Sequence, residues 1–418
     1  MFGAQILLAR TTSADTLALY FLATSLVTVA GTVAALGYPY IAVAVLGRYA
    51  EPRHTHRADA FIAVSRSDAL TTGVFLAGVM ALCILAYPYA NWTERATFLV
   101  ALPAIPAIAL FRTNDVIARV RSLLTTAYLP TILWRPVFFL FFALFAALVI
   151  HRTDAIVYVG IFAAIAIVGA LIQAAKLPLS NKAAVKHDKR LSRVWRRSAA
   201  GLIAVSVADL LIIDMDLLLA GTVLPRKELA IFAVCLKLAF FAKFAVDILQ
   251  GLVGPEMSRC YARRDMAGLQ RSIALSNLAS VGSTLAMVVA AMLFSRQALA
   301  VFGPEYVSGE AAFIVLVAVQ VVNAFGGPNV ALLTLKGAQR PINIAYGIAG
   351  VLLVALNLVL APIYGILGAA LAVLAVYITL NIILAVNVWL LMGIRCDAWT
   401  IAQLAIRGRP ISAASVSR

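Results

Sequence analysis

The chain has 418 residues, 63% of them hydrophobic and only 12% charged, with a mean hydropathy of +0.98. That composition excludes an ordinary soluble globular protein. The net charge is +16, from 34 Lys and Arg against 18 Asp and Glu, but no basic patch interleaves with aromatics in a polar segment, so nucleic acid is not the expected partner.

A bilayer core of about 30 Å takes about 20 apolar residues per helix. In chain order, runs of that kind lie near 16–47, 70–90, 96–111, 128–150, 154–175, 199–224, 228–254, 272–295, 311–335, 341–361 and 366–393. The third is short unless it continues past Arg112. Before Arg10 stands only MFGAQILLA, about half a helix, without the charged start and cleavage site of a signal peptide. A first helix that is shortened, or cut by a misplaced start codon, brings the expectation to about twelve spans with both termini on one side. The loops alternate in charge. One set holds Arg48, Arg53, Arg57 and Arg66, then Arg112, Arg119 and Arg121, the dense run from Lys176 to Arg197, Arg259 to Arg271, Lys336 and Arg340, and the C-terminal arginines. The other set holds only Arg10, Arg95, Arg152, Arg226, Lys227 and Arg296. Lys and Arg resist translocation, so the rich side, both termini included, is expected to be cytoplasmic. The same charges attract the membrane's anionic lipids.

The longest charged connection, KLPLSNKAAVKHDKRLSRVWRRS at 176–198, splits the spans six and six. The expected organisation is an N-terminal bundle over 1–175, a basic cytoplasmic linker over 176–198, a C-terminal bundle over 199–393 and a cytoplasmic tail over 394–418. Two six-helix bundles with a solute between them is a transporter plan. The longest loop on the charge-poor side, around 296–310, is too small for an enzymatic domain, so no enzyme is expected. No GxxxxGK[ST] phosphate loop is present, so transport has to be passive or use a gradient. Cys83, Cys235, Cys260 and Cys396 have no metal-type spacing and read as small apolar residues. His54 and His56 sit among arginines in a polar turn. Neither a metal nor a cofactor is expected.

Charges inside a bilayer are costly and usually face a partner or a wet cavity. The run SAAGLIAVSVADLLIIDMDLLLAGTVL carries Asp209, Asp214 and Asp216. From its cytoplasmic start Asp209 lies about 16 Å deep, near the midplane, while Asp216 is near enough to the far face to reach headgroups. The returning run carries Lys237 and Lys243, with Lys237 at the level of Asp209. That pair is either a structural ion pair or a cavity where a lysine meets an anionic solute and a carboxylate exchanges a proton or cation. Arg135, between Trp134 and Pro136, either faces the interior or snorkels. Arg112 and Arg119 are placed to line a cytoplasmic mouth. Pro103, Pro106 and Gly326-Gly327-Pro328 break their helices, as is best tolerated beside a polar cavity. Asn357, Asn381 and Asn387 read as hydrogen-bonding glue between helices.

Several stretches resemble a known group. LAVFGPEYVSGEAAFIVLVAVQVVNAFGGPNVALLTLKGAQRPINIAYGIAGVLLVALNLVLAPIYGILGAALAVLAVYITLN at 299–381 is similar to the C-terminal half of polysaccharide-biosynthesis flippases, through its FGxEY segment, the small-residue turn near Gly337 and PIYGILGAALA. DMDLLLAGTVLPRKELAIFAVCLKLAFF at 214–241 resembles the family's seventh and eighth helices, and ILLAR and ALGYPYIAVAVLGRYA its first two. The resemblance is to O-antigen (Wzx-type) flippases of the multidrug/oligosaccharidyl-lipid/polysaccharide (MOP) exporter superfamily. It implies an all-α polytopic membrane protein of about twelve transmembrane helices, in two six-helix bundles forming a MATE-like V-shape, from which this chain departs at its start, where the first helix is shortened. It also implies an undecaprenyl-diphosphate-linked glycan as substrate in a bacterial inner membrane, exported for O-antigen, exopolysaccharide or capsule, with a polysaccharide polymerase and glycosyltransferases as further partners. Diphosphate suits forked arginines and point-charge lysines, which makes Arg135, Lys237 and Lys243 the expected binding residues. Arg112 and Arg119 are the expected recruiters, and Asp209 and Asp214 the expected ion-coupling residues. The rival readings are a multidrug/cation antiporter, a peptidoglycan-precursor flippase, whose branch carries two further helices, and a non-transporting scaffold of polysaccharide assembly.

Overall fold

The computed structural model describes residues 2–49, 55–86, 91–121, 123–148, 150, 154–177, 189–201 and 215–394. Every regular element among them is helical, and seven stretches are long and apolar enough to cross a membrane. The chain is an all-α polytopic membrane protein. It divides into two compact units, Met1–Leu218 and Leu219–Arg418.

The first unit contains α1 (Phe2–Thr11), α2 (Ala14–Ala34), α3 (Tyr38–Arg48), α4 (Thr55–Ala86), α5 (Trp92–Ala101), α6 (Ala104–Val120), α7 (Leu124–Leu129), α8 (Arg135–Leu148), α9 (Ala155–Lys176) and α10 (Lys189–Gly201). Ser13 starts α2 by accepting a hydrogen bond from the Thr16 amide at 3.2 Å, which satisfies one of the free donors of the first turn. The expected run at 16–47 is two helices. Leu36 and Gly37 turn left-handed (φ 55° and 73°), and Pro39 occupies the first turn of α3, where its missing donor costs nothing.

Two further boundaries differ from the sequence reading. Helix α4 begins at Thr55 rather than near 70, so Arg57, Asp59, Arg66 and Asp68 stand on a helix and not in a loop. The short run at 96–111 extends over Trp92–Val120, interrupted at Pro103 between α5 and α6, and Arg112 and Arg119 are therefore helical too. Helix α6 forms the centre of the unit, with Ile105, Ile108, Phe111, Asn114 and Ile117 all buried and α2, α3, α4, α7 and α9 packed around it. Two glycines let helices approach it. A methyl on Gly73 would stand 2.6 Å from Cα of Pro106, and one on Gly31 2.7 Å from Cβ of Ile108. Small residues at such crossings replace the hydrophobic drive that lipid does not supply.

The run at 128–150 is α7, a π-helical turn over Pro130–Trp134, and then α8. Pro130 and Pro136 cannot donate to the helical ladder, and the wider turn between them sets the direction in which Arg135 leaves the backbone. Of the expected linker, residues 189–201 form α10, which packs on α3 and α4.

The helix α11 (Met215–Val223) crosses the boundary between the units. The second unit continues with α12 (Arg226–Ala262), α13 (Met266–Ala300), a 3-10 turn over Pro304–Gly309, α14 (Glu310–Gly326), α15 (Asn329–Leu335) and α16 (Gln339–Met392). Asp265 caps α13, accepting from the Gly268 amide at 2.9 Å. Gly327 (φ 73°) and Pro328 separate α14 from α15, the break expected there. The expected spans 341–361 and 366–393 are the two arms of α16, which bends at Gly365 (φ 58°, ψ −135°) just after Pro362. Helix α14 packs on α12, α13 and α16.

Candidate functional site

A half-buried cation of the first unit stands among aromatic side chains. Arg135 leaves the start of α8 and lays its guanidinium over Phe111 of α6, 5.3 Å from the ring centre, and over Phe162 of α9 at 5.6 Å. Both contacts use the negative face of the ring quadrupole, worth about 1–2 kcal/mol when desolvated. Arg112, the neighbour of Phe111 on α6, is close enough to act on Arg135 electrostatically, and Tyr20 of α2 lies nearby. Tyr20 is itself buried, its ring 5.7 Å from that of Phe139. Among the described residues Arg135 has no carboxylate partner. Aromatic faces alone do not neutralise a guanidinium.

Of the residues expected to handle an anion, Arg112 and Arg135 are brought together. Arg119 lies two turns further along α6 and is ion-paired with Asp115 at 2.6 Å, an i, i+4 pair at the exposed end of the helix. Lys237 is half-buried on α12 of the second unit. Lys243 stands on the same helix; its side chain, and all of Asp209 and Asp214, lie outside the described residues. Asp216, expected to reach headgroups, is instead buried, with 3% of its surface exposed, in the first turn of α11.

A second charged region of the first unit was not expected from the sequence. Asp68 of α4 accepts from Tyr38 at 2.5 Å and from both Nε and Nη2 of Arg196 on α10, each at 2.8 Å. That hydrogen bond first, and the carboxylate charge second, raise the Arg196 guanidinium above the usual arginine range. Arg66 donates to Oδ1 of Asn114 at 2.7 Å and to the carbonyl of Leu177 at 2.9 Å, tying α4 to α6 and to the end of α9. Arg121 donates to Asp59 at 3.0 Å. The available signal was register: Asp68 continues the buried stripe of Ala58, Phe61, Ile62, Ser65 and Ala69, and a carboxylate in that stripe has to find a partner.

In the second unit, buried polar side chains recur along α13 as Ser276, Ser280 and Thr284, with Gln320 on α14 and Asn357 on α16. The asparagines expected to join helices also bond within their own helix. Asn381 and Asn387 donate to the carbonyls of Tyr377 and Ile383 in their own helix, at 2.9 Å and 2.8 Å. Asn357 is fully buried with neither amide atom hydrogen-bonded. Asn329 donates to the Gly326 carbonyl at 2.8 Å, satisfying part of the backbone that the Gly327-Pro328 break releases. Cys235 and Cys260 are buried free thiols and Cys83 an exposed one, and no group of potential metal ligands occurs among the described residues.

No protein-family model matches the sequence, and no curated protein matches it. Solved structures do match. The inward-facing conformation of a multidrug resistance MATE family transporter of the MOP superfamily is similar over 91% of this chain and 91% of its own, with a TM-score of 0.75 at 15% identity. The inward closed conformation of the lipid II flippase MurJ covers 93% of this chain and 86% of its own, with a TM-score of 0.69 at 12% identity. A MOP superfamily transporter from Pyrococcus furiosus, whose reversed pocket polarity suggests a different function, covers 97% and 92%, with a TM-score of 0.59 at 14% identity. At these identities the likeness is one of fold: the chain has the fold of MOP superfamily transporters.

Proposed function

We propose that this chain is a flippase for a lipid-linked oligosaccharide, moving an undecaprenyl-diphosphate glycan of the O-antigen, exopolysaccharide or capsule type across a bacterial inner membrane by alternating access, with both termini cytoplasmic. The observation that carries the reading is Arg135, a cation inside a membrane bundle that stacks on Phe111 and Phe162 and has no carboxylate partner among the described residues. A charge in that setting is retained for a ligand more readily than for stability. A diphosphate bearing sugars cannot cross lipid unaided, because its anionic and hydroxyl groups would lose their hydration.

In this reading Arg135, Lys237 and Lys243 bind the diphosphate, and Arg112 and Arg119 recruit it at the cytoplasmic end. Asp209 and Asp214 couple movement to an ion gradient. The polymerase and glycosyltransferases of the same polysaccharide are the natural protein partners, since they make and consume the lipid-linked glycan. The likeness to a multidrug transporter favours a second reading, export of organic cations, but an arginine with no carboxylate partner among the described residues repels such cargo.

The test is movement of a fluorescent polyprenyl-diphosphate saccharide in proteoliposomes, with and without a proton or sodium gradient. Gradient-dependent movement that Arg135→Ala abolishes supports the proposal. Export of a cationic dye with no glycan movement would replace it with the antiporter reading. A folded protein that moves neither would leave only the scaffold.

A further inference from the structure

We propose that α10 is a docking face for anionic phospholipid: Arg193 and Arg197 bind lipid phosphates at the membrane surface, while Trp195 and Arg196 clamp the helix at that depth. The helix sequence KRLSRVWRRSAAG contains no carboxylate. Its buried residues Ser192, Trp195 and Ala199 recur at three and four positions and so form a single face. Trp195 is 5% exposed and meets Phe61 edge to face at 5.4 Å and Tyr49 at 6.5 Å. Arg196, at one border of that face, grips both oxygens of Asp68. These two anchors fix the rotation of the helix about its axis, and Arg193, Val194 and Arg197 are exposed as a result.

The depth follows from α4. Its charged residues end at Asp68, and from Ala69 to Ala86 it carries none. Asp68 therefore marks the passage from polar to apolar surroundings, and a helix pinned to it lies at headgroup level. Arg193 and Arg197 are four apart, side by side on the helix surface, where like charges repel. An anion between them removes that repulsion, and guanidinium forks match phosphate oxygens. Val194, 55% exposed beside them, adds the apolar contact typical of interfacial helices. A zwitterionic headgroup offers no net charge to this face, so the lipid it fits is an anionic one such as phosphatidylglycerol. Nothing in the binding depends on which solute is transported.

The experiment is native mass spectrometry of the full chain from mixed phosphatidylglycerol and phosphatidylcholine, comparing the wild type with R193Q/R197Q and R193K/R197K. A surface cation contributes about fivefold to anionic-lipid binding, so the wild type retains phosphatidylglycerol preferentially, the lysine pair keeps most of that preference, and the glutamine pair loses about twenty-five-fold. Equal retention by the wild type and a folded R193Q/R197Q overturns the proposal. A second measurement leaves both arginines in place: a fluorophore on V194C should be quenched more by a nitroxide-labelled phosphatidylglycerol than by the phosphatidylcholine counterpart, and high salt should erase the difference. Equal quenching at low salt also overturns it.

Discussion

Arg196 holds Asp68 through two parallel hydrogen bonds, Nε to Oδ2 and Nη2 to Oδ1, both 2.8 Å, and so fastens α10 to the helix at the other side of a long stretch of chain. The Tyr38 hydroxyl donates to the same Oδ2, leaving the carboxylate saturated on its buried side. Asp68 is 9% exposed as a residue, whereas the Arg196 side chain is 57% exposed. The two partners are not equivalent.

That asymmetry sets the first prediction. Removing Arg196 (R196Q) leaves Asp68 with the Tyr38 hydroxyl and some access to water, and should cost about 1 kcal/mol, the upper range for a solvent-screened pair. Removing the carboxylate (D68A) strands the Tyr38 hydroxyl as well and should cost about 2–3 kcal/mol. Thermal unfolding in detergent would rank the two, and trypsin should cut α10 faster in both variants. Equal stability of D68A and wild type would show that the clasp carries no weight.

A second prediction separates a ligand site from a structural one at Arg135. A guanidinium with aromatic contacts and, among the described residues, no counter-charge is not a net stabiliser, because desolvation opposes what the rings return. R135M should therefore unfold at the wild-type temperature or above it, while glycan movement falls at least about tenfold, as expected when one charge-assisted contact is lost. R135K keeps the charge, loses the planar stack and should fall between the two. If R135M unfolds earlier and transports in proportion to the protein still folded, Arg135 is structural.

Some helix breaks were legible in the sequence because glycine and proline act locally. Pro103 and Gly327 with Pro328 each end a helix where their backbone constraints require it, whereas the break at Gly37 and Pro39 was passed over inside the run 16–47. The early start of α4 was not legible. An apolar-run search stops at charged residues, whereas Asp59, Arg66 and Asp68 are carried on the helix by partners on α6, on α10 and beyond Val120 that no local window contains. The candidate site divides in the same way. That Arg135 sits at membrane depth follows from its position in the chain, but whether it snorkels depends on Phe111 and Phe162, which reach it from α6 and α9. The asparagines of α16 combine a local and a distant contact: Asn381 and Asn387 each donate to the carbonyl one turn earlier, while Oδ1 of Asn381 lies against Gly326 of α14, in the place a methyl there would take.

The bend in α16 gives a third prediction. Gly365 has φ 58° and ψ −135°, a region that residues with a side chain enter only under strain of about 1–3 kcal/mol. The space itself is not closed, since the nearest atom to an added methyl would be the Glu228 carboxylate at 3.0 Å, the mobile end of a side chain. G365A should therefore lower stability by about 1 kcal/mol or more through the backbone alone. Adding E228A should recover little of it. Recovery by E228A would mean that the contact, and not the dihedral, was the cause.

The last prediction concerns the crossings of α6. Gly31 and Gly73 lie on α2 and α4 in ordinary helical conformation, so alanine is favoured at both by intrinsic propensity, by about 1 kcal/mol. The structure opposes that preference. At Gly73 the added methyl would meet Cα of Pro106 at 2.6 Å, and at Gly31 it would meet Cβ of Ile108 at 2.7 Å. Neither obstacle is the end of a flexible side chain; Pro106 in particular is backbone with a ring that cannot rotate away. The helices must separate to admit the methyl, which loses packing along the whole crossing, and overpacking of this kind typically costs about 1–3 kcal/mol. Gly78, one turn beyond Gly73 on the same helix, has nothing within 4 Å of the position a methyl would take. G73A and G31A should therefore lower the unfolding temperature while G78A leaves it unchanged or raises it, so the sign of the effect reverses between two glycines of one helix. A parallel shift in all three variants would trace the effect to helix propensity and remove close packing on α6 as its cause.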